Sequence, residues 1–286
     1  MTQKAHGIDI SKYQGTIDWN TLEAAHKAGQ VDFIIMRAGY GYATTDPHFK
    51  EYYREATARG IPCGAYWYAY WGAGTPTQEV NAFLRVVGDK TFTYGLWYDV
   101  EYETSITGLD KTTRTNKTLE GLNALQASGR YVGLYASTDM INNRLDYSRL
   151  SAYDIWVAQY ASKCTCKAPY GIWQYTSSGS TAGIAGRVDQ DRAYKDYPGI
   201  VVGKLATGKD CTDTAPETPD EPTPPRVTST IKTGLMTRGD VKTVLDKAIE
   251  LGLYVTGELT VGPMTEGDTA TMTGLLDGLG IEHNEV

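Results

Sequence analysis

The sequence predicts an α/β protein: an irregular TIM-like (β/α)5(β)3 barrel followed by a small α+β domain made of a βαβα repeat. Strand-like and helix-like segments alternate up to about residue 150, which favours a parallel sheet with crossover helices. After that point, strand-like segments follow one another with short links. Beyond a proline-rich stretch, the chain repeats itself with a period of 28 residues.

The alternating part is predicted to contribute five strands, each followed by a helix. Asn20, Asp46 and Thr75 are the predicted caps of the first three helices, because their side chains can accept hydrogen bonds from free first-turn amides. Asp18 and Asp46 are expected to have no role beyond helix capping. The predicted strands cover residues 7–15, 31–38, 61–71, 96–103 and 131–136.

Three further strands are predicted after residue 150, with little room for helices between them. They cover residues 155–160, 171–176 and 186–189. Eight strands, of which five are followed by helices, suggest a closed barrel over residues 1–210. Sites in such barrels lie at the C-terminal ends of the strands, so acidic residues at these ends are the first candidates for a site.

The fourth strand carries two carboxylates, Asp99 and Glu101. Side-chain alternation places them on one face, about 7 Å apart, where they are costly unless water, a partner or a substrate meets them. For an isolated Asp-x-Glu, a solvated strand end is the more frequent explanation, and Glu103 is interpreted in that way. Trp97 has the same parity and is expected to pack beneath the carboxylates.

Several side chains have structural alternatives to a role in a site. Asp9, in the first strand, could fix the start of the barrel by bonding Arg37 or backbone amides, and the same alternative is open for Asp189. Trp67 and Tyr70 are expected to face outward against helices. For Trp67 the reason is that its parity opposes that of the neighbouring Tyr66 and Tyr68.

Composition argues against several classes of function. The net charge of −7 disfavours a nucleic-acid partner, and no stretch approaches the roughly 18 apolar residues of a membrane span. The histidines form no cluster and Cys164-x-Cys166 is too tight for a zinc knuckle, so no metal or cofactor is expected. No apolar run follows Met1, so no signal peptide is predicted and the cysteines are expected to be free thiols. The 21 Tyr and 6 Trp, against 4 Phe, suit a surface that stacks on sugars.

The C-terminal part is predicted to be a separate domain. Residues 211–226 hold five of the eleven prolines and are expected to form a semi-rigid linker. Residues 227–286 contain the repeat, in which 234–240 returns as 262–268, and each copy is predicted as strand, turn and helix. A βαβα unit of this size is marginal as a lone domain, so we expect it to self-associate as a homodimer or a larger oligomer.

Several separated blocks, in order, resemble family 25 glycoside hydrolases, the Chalaropsis-type lysozymes that include many phage endolysins. The resemblance covers roughly residues 5–200, and family members fold as a barrel of five β/α units and three further strands. The blocks are residues 7–15, 17–19, 33–38, 64–68, 99–101, 133–135, 156–160, 172–177 and 186–191.

The resemblance implies a peptidoglycan hydrolase, an N-acetylmuramidase that cleaves the β-1,4 bond between N-acetylmuramic acid and N-acetylglucosamine without a cofactor. Glu101 matches the proton donor, and Asp99, Asp9 and Asp189 match the other active-site carboxylates. Asp191 stands where many relatives are expected to have Asn, outside the catalytic set. Positions expected near the substrate groove are Arg37, Tyr66, Tyr68, Tyr135, Trp156 and Gln174.

For the mechanism, ionised Asp neighbours are expected to raise the pKa of Glu101 so that it holds a proton near neutral pH. Asp99 is expected to stay charged and to assist the substrate's own N-acetyl group as nucleophile, with direct attack by water as the open alternative.

For the biological setting, we expect a phage endolysin, synthesised in the host cytoplasm, that acts on the bacterial cell wall. The C-terminal domain would bind the wall, self-associate or both. A leaderless bacterial autolysin and a non-catalytic glycan-binding protein are the alternatives.

Overall fold

The computed structural model describes residues 2–201, and nine strands in this range form one sheet that closes on itself. The strands are β1 (Ala5–Ile10), β2 (Phe33–Tyr40), β3 (Thr44–Thr45), β4 (Cys63–Tyr68), β5 (Leu96–Asp99), β6 (Val132–Ser137), β7 (Asp154–Ala158), β8 (Ile172–Gly179) and β9 (Val188–Ala193). All except β3 belong to the barrel wall, and β3 extends β2 as a short hairpin. The predicted α/β barrel is therefore confirmed.

The strand order around the barrel is β1, β2, β4, β5, β6, β7, β8, β9, and β9 returns to β1. Each pair from β1–β2 to β7–β8 is parallel, whereas β9 runs antiparallel to both of its neighbours. The first residues of β9 therefore lie at the mouth where the other strands end. In this register Asp189 pairs with Asp9 across the β1–β9 seam.

Residues 2–201 form six helices, and the longer ones pack on the outside of the parallel strands. The helices are α1 (Trp19–Lys27), α2 (Phe49–Ala58), α3 (Pro76–Val87), α4 (Thr104–Thr107), α5 (Lys111–Gln126) and α6 (Tyr197–Val201). Between β6 and β7 the chain makes only a π-helical turn, Met140–Arg144, and a 3-10 turn, Tyr147–Arg149.

The helix caps agree with the sequence in part. Thr75 caps α3 in the predicted capping box, with its side chain accepting from the Gln78 amide and Gln78 reaching back. The predicted cap Asn20 is wrong: Asp18 caps α1 by accepting from the amides of Asn20 and Thr21. Asn20 is already the second residue of the helix, because Trp19 turns into the core and begins it.

Two apolar cores flank the barrel wall. Trp67 packs outward against Phe83 of α3 at a ring distance of 5.7 Å, as predicted. Tyr70 was expected there too, and this is wrong, since the chain leaves the sheet at Tyr68 and Tyr70 turns to solvent. Trp97 lies inside the barrel, on the side predicted for it.

The inner core is closed at the end of the barrel opposite the mouth. Tyr197 of α6 packs edge-on against Trp97 at 5.9 Å and donates a hydrogen bond of 2.6 Å to Asp154 Oδ2. Tyr131 donates to the same oxygen, and Lys195 to Oδ1. This end is therefore sealed by rings around one buried carboxylate, which leaves the mouth as the open end of the interior.

Several predictions fall outside residues 2–201. They are the linker 211–226, the repeat domain 227–286 with its self-association and wall binding, and the state of Cys211. Within the described range, Cys63, Cys164 and Cys166 are free thiols. No helix there is long and apolar enough to cross a membrane, and the same residues hold no His, Cys, Asp and Glu grouping suited to a metal ion.

Candidate active site

The barrel mouth gathers the four predicted catalytic carboxylates. Asp9 lies near the end of β1, Asp99 is the last residue of β5, and Asp189 is the second residue of β9. Glu101 follows two residues after β5, in the loop rather than in the strand, although the Val100 amide still bonds the carbonyl of Tyr135 at 2.9 Å. Glu101 is close enough to Asp189 and Asp99 for their charges to interact.

Asp9 is held by Gln174, and the partner expected for it, Arg37, pairs with Asp46 instead. Gln174 Nε2 donates to Asp9 Oδ2 at 2.7 Å. The other amide atom, Gln174 Oε1, accepts from the hydroxyls of Tyr135 at 2.9 Å and Tyr160 at 3.0 Å. Since Asp9 and Gln174 are both buried, the amide fixes the orientation of the carboxylate beneath the mouth.

Asp191, expected to lie outside the catalytic set, is a neighbour of Asp189 and Asp9 in the same acidic cluster. It is fully buried, and its Oδ1 accepts from Trp156 Nε1 at 2.8 Å. Its carboxyl lies within hydrogen-bonding distance of Asp9, while Oδ2 has no donor among the described residues. A hydrogen bond between two carboxyls requires a proton on one of them, so this pair retains a proton more strongly than either group would alone.

Burial is the largest cause of the raised pKa values in the cluster. It raises the pKa of Glu101 to about 7, with Asp189 and Glu103 adding smaller increases. Burial likewise raises the pKa of Asp189 to about 6 and that of Asp191 to about 7. The pKa of Asp99 also rises, first by burial and then by Glu101, while Arg37 lowers it. The crowding of charges expected from the sequence is thus the smaller effect.

Arg37 is anchored by a buried carboxylate that the sequence indicated only as a helix cap. Arg37 Nε donates to Asp46 Oδ2 at 2.8 Å, and both groups are buried. Asp46 also accepts from the backbone amides of Lys12 at 3.0 Å and His48 at 3.0 Å. His48 is the residue that precedes α2. Asp46 therefore ties β2, the turn after β1 and the start of α2 to one point near the mouth.

Glu103 is half-buried rather than fully solvated, which corrects its sequence interpretation. Its Oε1 accepts from the Tyr68 hydroxyl at 2.9 Å, and the residue directly precedes α4. This contact links the ends of β4 and β5. It also places a further negative charge where it raises the pKa of Glu101.

The residues predicted to lie near the substrate groove occupy two levels. Arg37 and Tyr68 stand at the mouth. Tyr135, Trp156 and Gln174 are buried beneath it, with the Tyr135 and Trp156 rings edge to face at 4.5 Å. Tyr66 is half-buried and packs edge-on against Trp156 at 5.9 Å.

Sequence reasoning missed Asp46, Glu103 and Tyr160 as neighbours of the site. A usable signal existed for Tyr160 alone, since it ends one of the matching sequence blocks. Asp46 and Glu103 contact residues that only the folded chain brings near them. Nothing in the sequence around either residue indicates those contacts.

A model of the family described as "Glycosyl hydrolases family 25" matches residues 8–184, more than half of the chain. The chain belongs to glycosyl hydrolases family 25. This confirms the resemblance drawn from the sequence blocks. Among relatives of the family 25 chain, the autolytic lysozyme of Clostridium acetobutylicum is 30% identical over 200 residues, covering 69% of this chain and 57% of the relative. The chain thus spans less than two thirds of the length of that relative.

Solved structures share the barrel. The bacterial lysozyme from Streptomyces coelicolor superposes with a TM-score of 0.61 at 23% identity, covering 73% of this family 25 chain and 98% of that structure. The modular autolysin LytC from Streptococcus pneumoniae, solved in complex with a synthetic peptidoglycan ligand, gives a TM-score of 0.58 at 27% identity. That match covers 66% of this chain and 46% of the other.

Proposed function

We propose that this protein is a peptidoglycan hydrolase, an N-acetylmuramidase that cleaves the β-1,4 bond between N-acetylmuramic acid and N-acetylglucosamine. The observation that carries the proposal is the half-buried Glu101, whose pKa is raised to about 7, beside Asp99 and Asp189 at the open end of the barrel. Family membership and the lysozyme and autolysin names of the similar proteins support the choice of substrate.

Glu101 is assigned the role of general acid. Cleavage of a glycosidic bond needs a carboxyl that still holds its proton at working pH and gives it to the leaving oxygen. Burial supplies this condition for Glu101, and the negative charges of Asp189 and Glu103 reinforce it. Its place past the end of β5, at the mouth, lets a polymer approach it from solvent.

Asp99 is assigned the role of orienting the N-acetyl group of the substrate. Its Oδ1 has no hydrogen-bond partner among the described residues, so an acceptor is available for the amide N–H of that group. A donated hydrogen bond favours the ionised carboxylate, and Arg37 acts in the same direction. The acetyl oxygen would then attack the anomeric carbon, and the glycosidic bond would break as Glu101 protonates the leaving oxygen. Water, giving a proton back to Glu101, would open the resulting oxazoline ring, so that the two displacements together retain the configuration.

Asp9 and Asp189 are assigned the role of placing negative charge beside the oxocarbenium-like transition state. They face each other across the β1–β9 seam and lie within hydrogen-bonding distance. Gln174, held by two tyrosine hydroxyls, keeps Asp9 in position. A substitution at Gln174 is therefore expected to act through Asp9.

The test is hydrolysis of purified bacterial cell walls, followed by reduction of the new sugar ends and mass analysis. Walls treated with the protein should lose turbidity and yield reduced muramic acid. Glu101→Gln should abolish the reaction and leave the fold intact. Reduced glucosamine ends, or full activity of the variant, would contradict the assignment. Binding of walls without any new ends would indicate a glycan-binding protein instead.

Stereochemistry is tested separately, by proton NMR of the first product formed from a soluble muramyl glycan. Retention should give the β anomer before mutarotation. An α anomer as the first product would show direct attack by water and remove the role assigned to Asp99. The phage setting stays a prediction, because an endolysin and an autolysin would carry out the same reaction.

A further inference from the structure

A row of tyrosine rings lines one side of the barrel mouth; we call Tyr13, Tyr40, Tyr68 and Tyr70 the tyrosine wall. The Tyr68 and Tyr70 ring centroids are 5.5 Å apart, and those of Tyr70 and Tyr40 are 5.8 Å apart. The Arg37 guanidinium joins the row to Tyr13, lying 5.2 Å from the Tyr13 ring and 5.4 Å from that of Tyr40. The four rings are therefore connected, by ring contacts among Tyr68, Tyr70 and Tyr40 and by the Arg37 guanidinium between Tyr40 and Tyr13.

The tyrosine wall begins at the acidic cluster and runs outward to solvent. Tyr68 interacts electrostatically with Glu101 and Asp99, and its hydroxyl is bound by Glu103. Tyr70 is 38% exposed, and Tyr13, in the 3-10 turn after β1, is 77% exposed. Rings with one open side and a hydroxyl suit stacking on sugar faces, and these rings continue the surface that starts at the carboxylates.

The outer end of the wall carries a lysine. Lys12 Nζ lies 5.4 Å from the Tyr13 ring centroid and 5.6 Å from that of Tyr40. Within residues 2–201 its ammonium group forms no ion pair and no hydrogen bond with another side chain. Arg37 differs, since Asp46 neutralises its charge.

The centre of the mouth and the outer end of the wall thus have opposite electrostatic character. Carboxylates dominate the centre, so an anionic group on a substrate is repelled there once those carboxylates are ionised. A half-buried ammonium without an ion-pair partner in residues 2–201, beside a stacking surface, attracts such a group. A glycan strand that carries carboxylates therefore gains most when its sugar ring lies on the tyrosine wall and its carboxylate is near Lys12.

We propose that the tyrosine wall and Lys12 form a binding site for a muramic acid unit outside the cleavage point, with the unit's carboxylate paired to Lys12 Nζ. The proposal rests on the proposed function and adds a means of preferring carboxylate-bearing strands to neutral ones. The carboxylate is either the free lactyl group of a peptide-free strand or an acidic group of an attached stem peptide.

Binding to the Glu101→Gln protein, measured by calorimetry, tests the site without turnover. Three tetrasaccharides serve as probes: chitotetraose, which has no carboxylate; a peptide-free muramyl strand, which has lactyl carboxylates; and a strand with stem peptides, whose lactyl groups are amide-linked. We expect a preference of about two- to fivefold for at least one anionic strand over chitotetraose. The preferred strand identifies the source of the carboxylate, and the preference should shrink as salt is added.

Lys12→Gln, added to the same protein, should remove this preference and leave chitotetraose binding unchanged. Tyr13→Ala should weaken the binding of all three probes by a similar factor, about fivefold, because stacking on the ring does not depend on the carboxylate of the probe. Lys90→Gln is the matched control. Lys90 Nζ also lies over a tyrosine ring, 5.8 Å from that of Tyr53, but it precedes β5 at the opposite end of the barrel.

Three outcomes would overturn the site: an unchanged preference in Lys12→Gln, an equal loss in Lys90→Gln, or no binding of any probe. Arg187 offers a further comparison, because its carbonyl accepts from the Gln14 side chain of the same turn. Loss of the preference in Arg187→Gln, with Lys12→Gln normal, would transfer the role to that residue. Wall hydrolysis by the protein with Glu101 intact is measured separately. Hydrolysis without Lys12-dependent binding would reject the proposed binding site but not the proposed function. Lys12-dependent binding without hydrolysis would reject the proposed function but not the binding site.

Discussion

At the scale of single residues, the protonation of Glu101 depends on its surroundings. Activity should fall as pH rises through about 7, because the general acid then loses its proton. Ionised Asp189 raises the pKa of Glu101, so Asp189→Asn should lower that pKa and move the alkaline limb of kcat/KM to lower pH. The measurement is the initial rate of wall hydrolysis at low substrate from pH 4 to 9.

Glu103→Gln provides the comparison for this shift. Glu103 raises the pKa of Glu101 less than Asp189 does, so its variant should move the alkaline limb in the same direction by a smaller amount. A limb that stays in place in both variants, or moves to higher pH, would show that another group controls it.

Asp191 allows a second test with isosteric and apolar variants. Asp191→Asn keeps an acceptor for Trp156 Nε1 and gains a donor for Asp9, so fold and activity should be retained. Asp191→Leu leaves the indole N–H buried without an acceptor, which should cost about 1–3 kcal/mol of unfolding free energy. Tryptophan fluorescence during urea unfolding at pH 6 measures both. Equal destabilisation by the two variants would mean that the hydrogen bonds of Asp191 do not determine its contribution to the unfolding free energy.

At the scale of elements, two candidate caps of α1 can be separated. Asp18→Ala should lower the unfolding free energy by about 1 kcal/mol, because the Asp18 carboxylate accepts from two first-turn amides. Asn20→Ala, the cap that the sequence suggested, should have a smaller effect, since among the described residues the Asn20 side chain accepts only from the half-buried Arg59 side chain. Urea unfolding of the two variants checks the order, and the reverse order would restore Asn20 as the cap.

Local signals account for the elements that were predicted well. The Thr75 capping box and the alternation in the strand containing Trp67 depend on residues within a few positions of each other. The missed features depend on distance along the chain. Arg37 pairs with Asp46 only because β3 folds back on β2, and Asp191 meets Asp9 only because β9 reverses direction. The sequence was enough to predict which carboxylates lie at the barrel mouth. Their hydrogen-bond partners could be identified only from the closed barrel.

At the scale of the whole barrel, the two ends differ in the way they handle buried charge. The closed end surrounds Asp154 with the hydroxyls of Tyr131 and Tyr197 and the ammonium of Lys195. The mouth has no comparable set of donors for its cluster: Asp99 Oδ1 and Asp191 Oδ2 lack partners among residues 2–201. The barrel therefore supplies the buried Asp154 carboxylate with donors and leaves the carboxylates of the mouth cluster in an environment that disfavours their ionised forms.

This imbalance predicts how stability depends on pH. Asp9, Asp99, Glu101 and Asp191 all have a pKa raised in the folded state, so the native protein binds more protons than the unfolded chain above about pH 4. Their contribution is favourable below that pH and declines until the pH passes the folded pKa values, near 7 for Glu101 and Asp191. The barrel should thus melt at a higher temperature at pH 5 than at pH 8.

Tryptophan fluorescence reports on the barrel within the full-length chain, because all six tryptophans lie between residues 19 and 173. Glu101→Gln removes one carboxyl that ionises in the folded state between pH 5 and pH 8. The variant should therefore lose less stability over this range, and its unfolding free energy at pH 8 should be higher by about 1–3 kcal/mol. Asp89→Asn, at an exposed position, is the control for removing a carboxylate outside the cluster. A melting temperature that rises from pH 5 to pH 8 would mean that the mouth carboxyls ionise at little cost, and the general-acid role of Glu101 would then lose its physical basis.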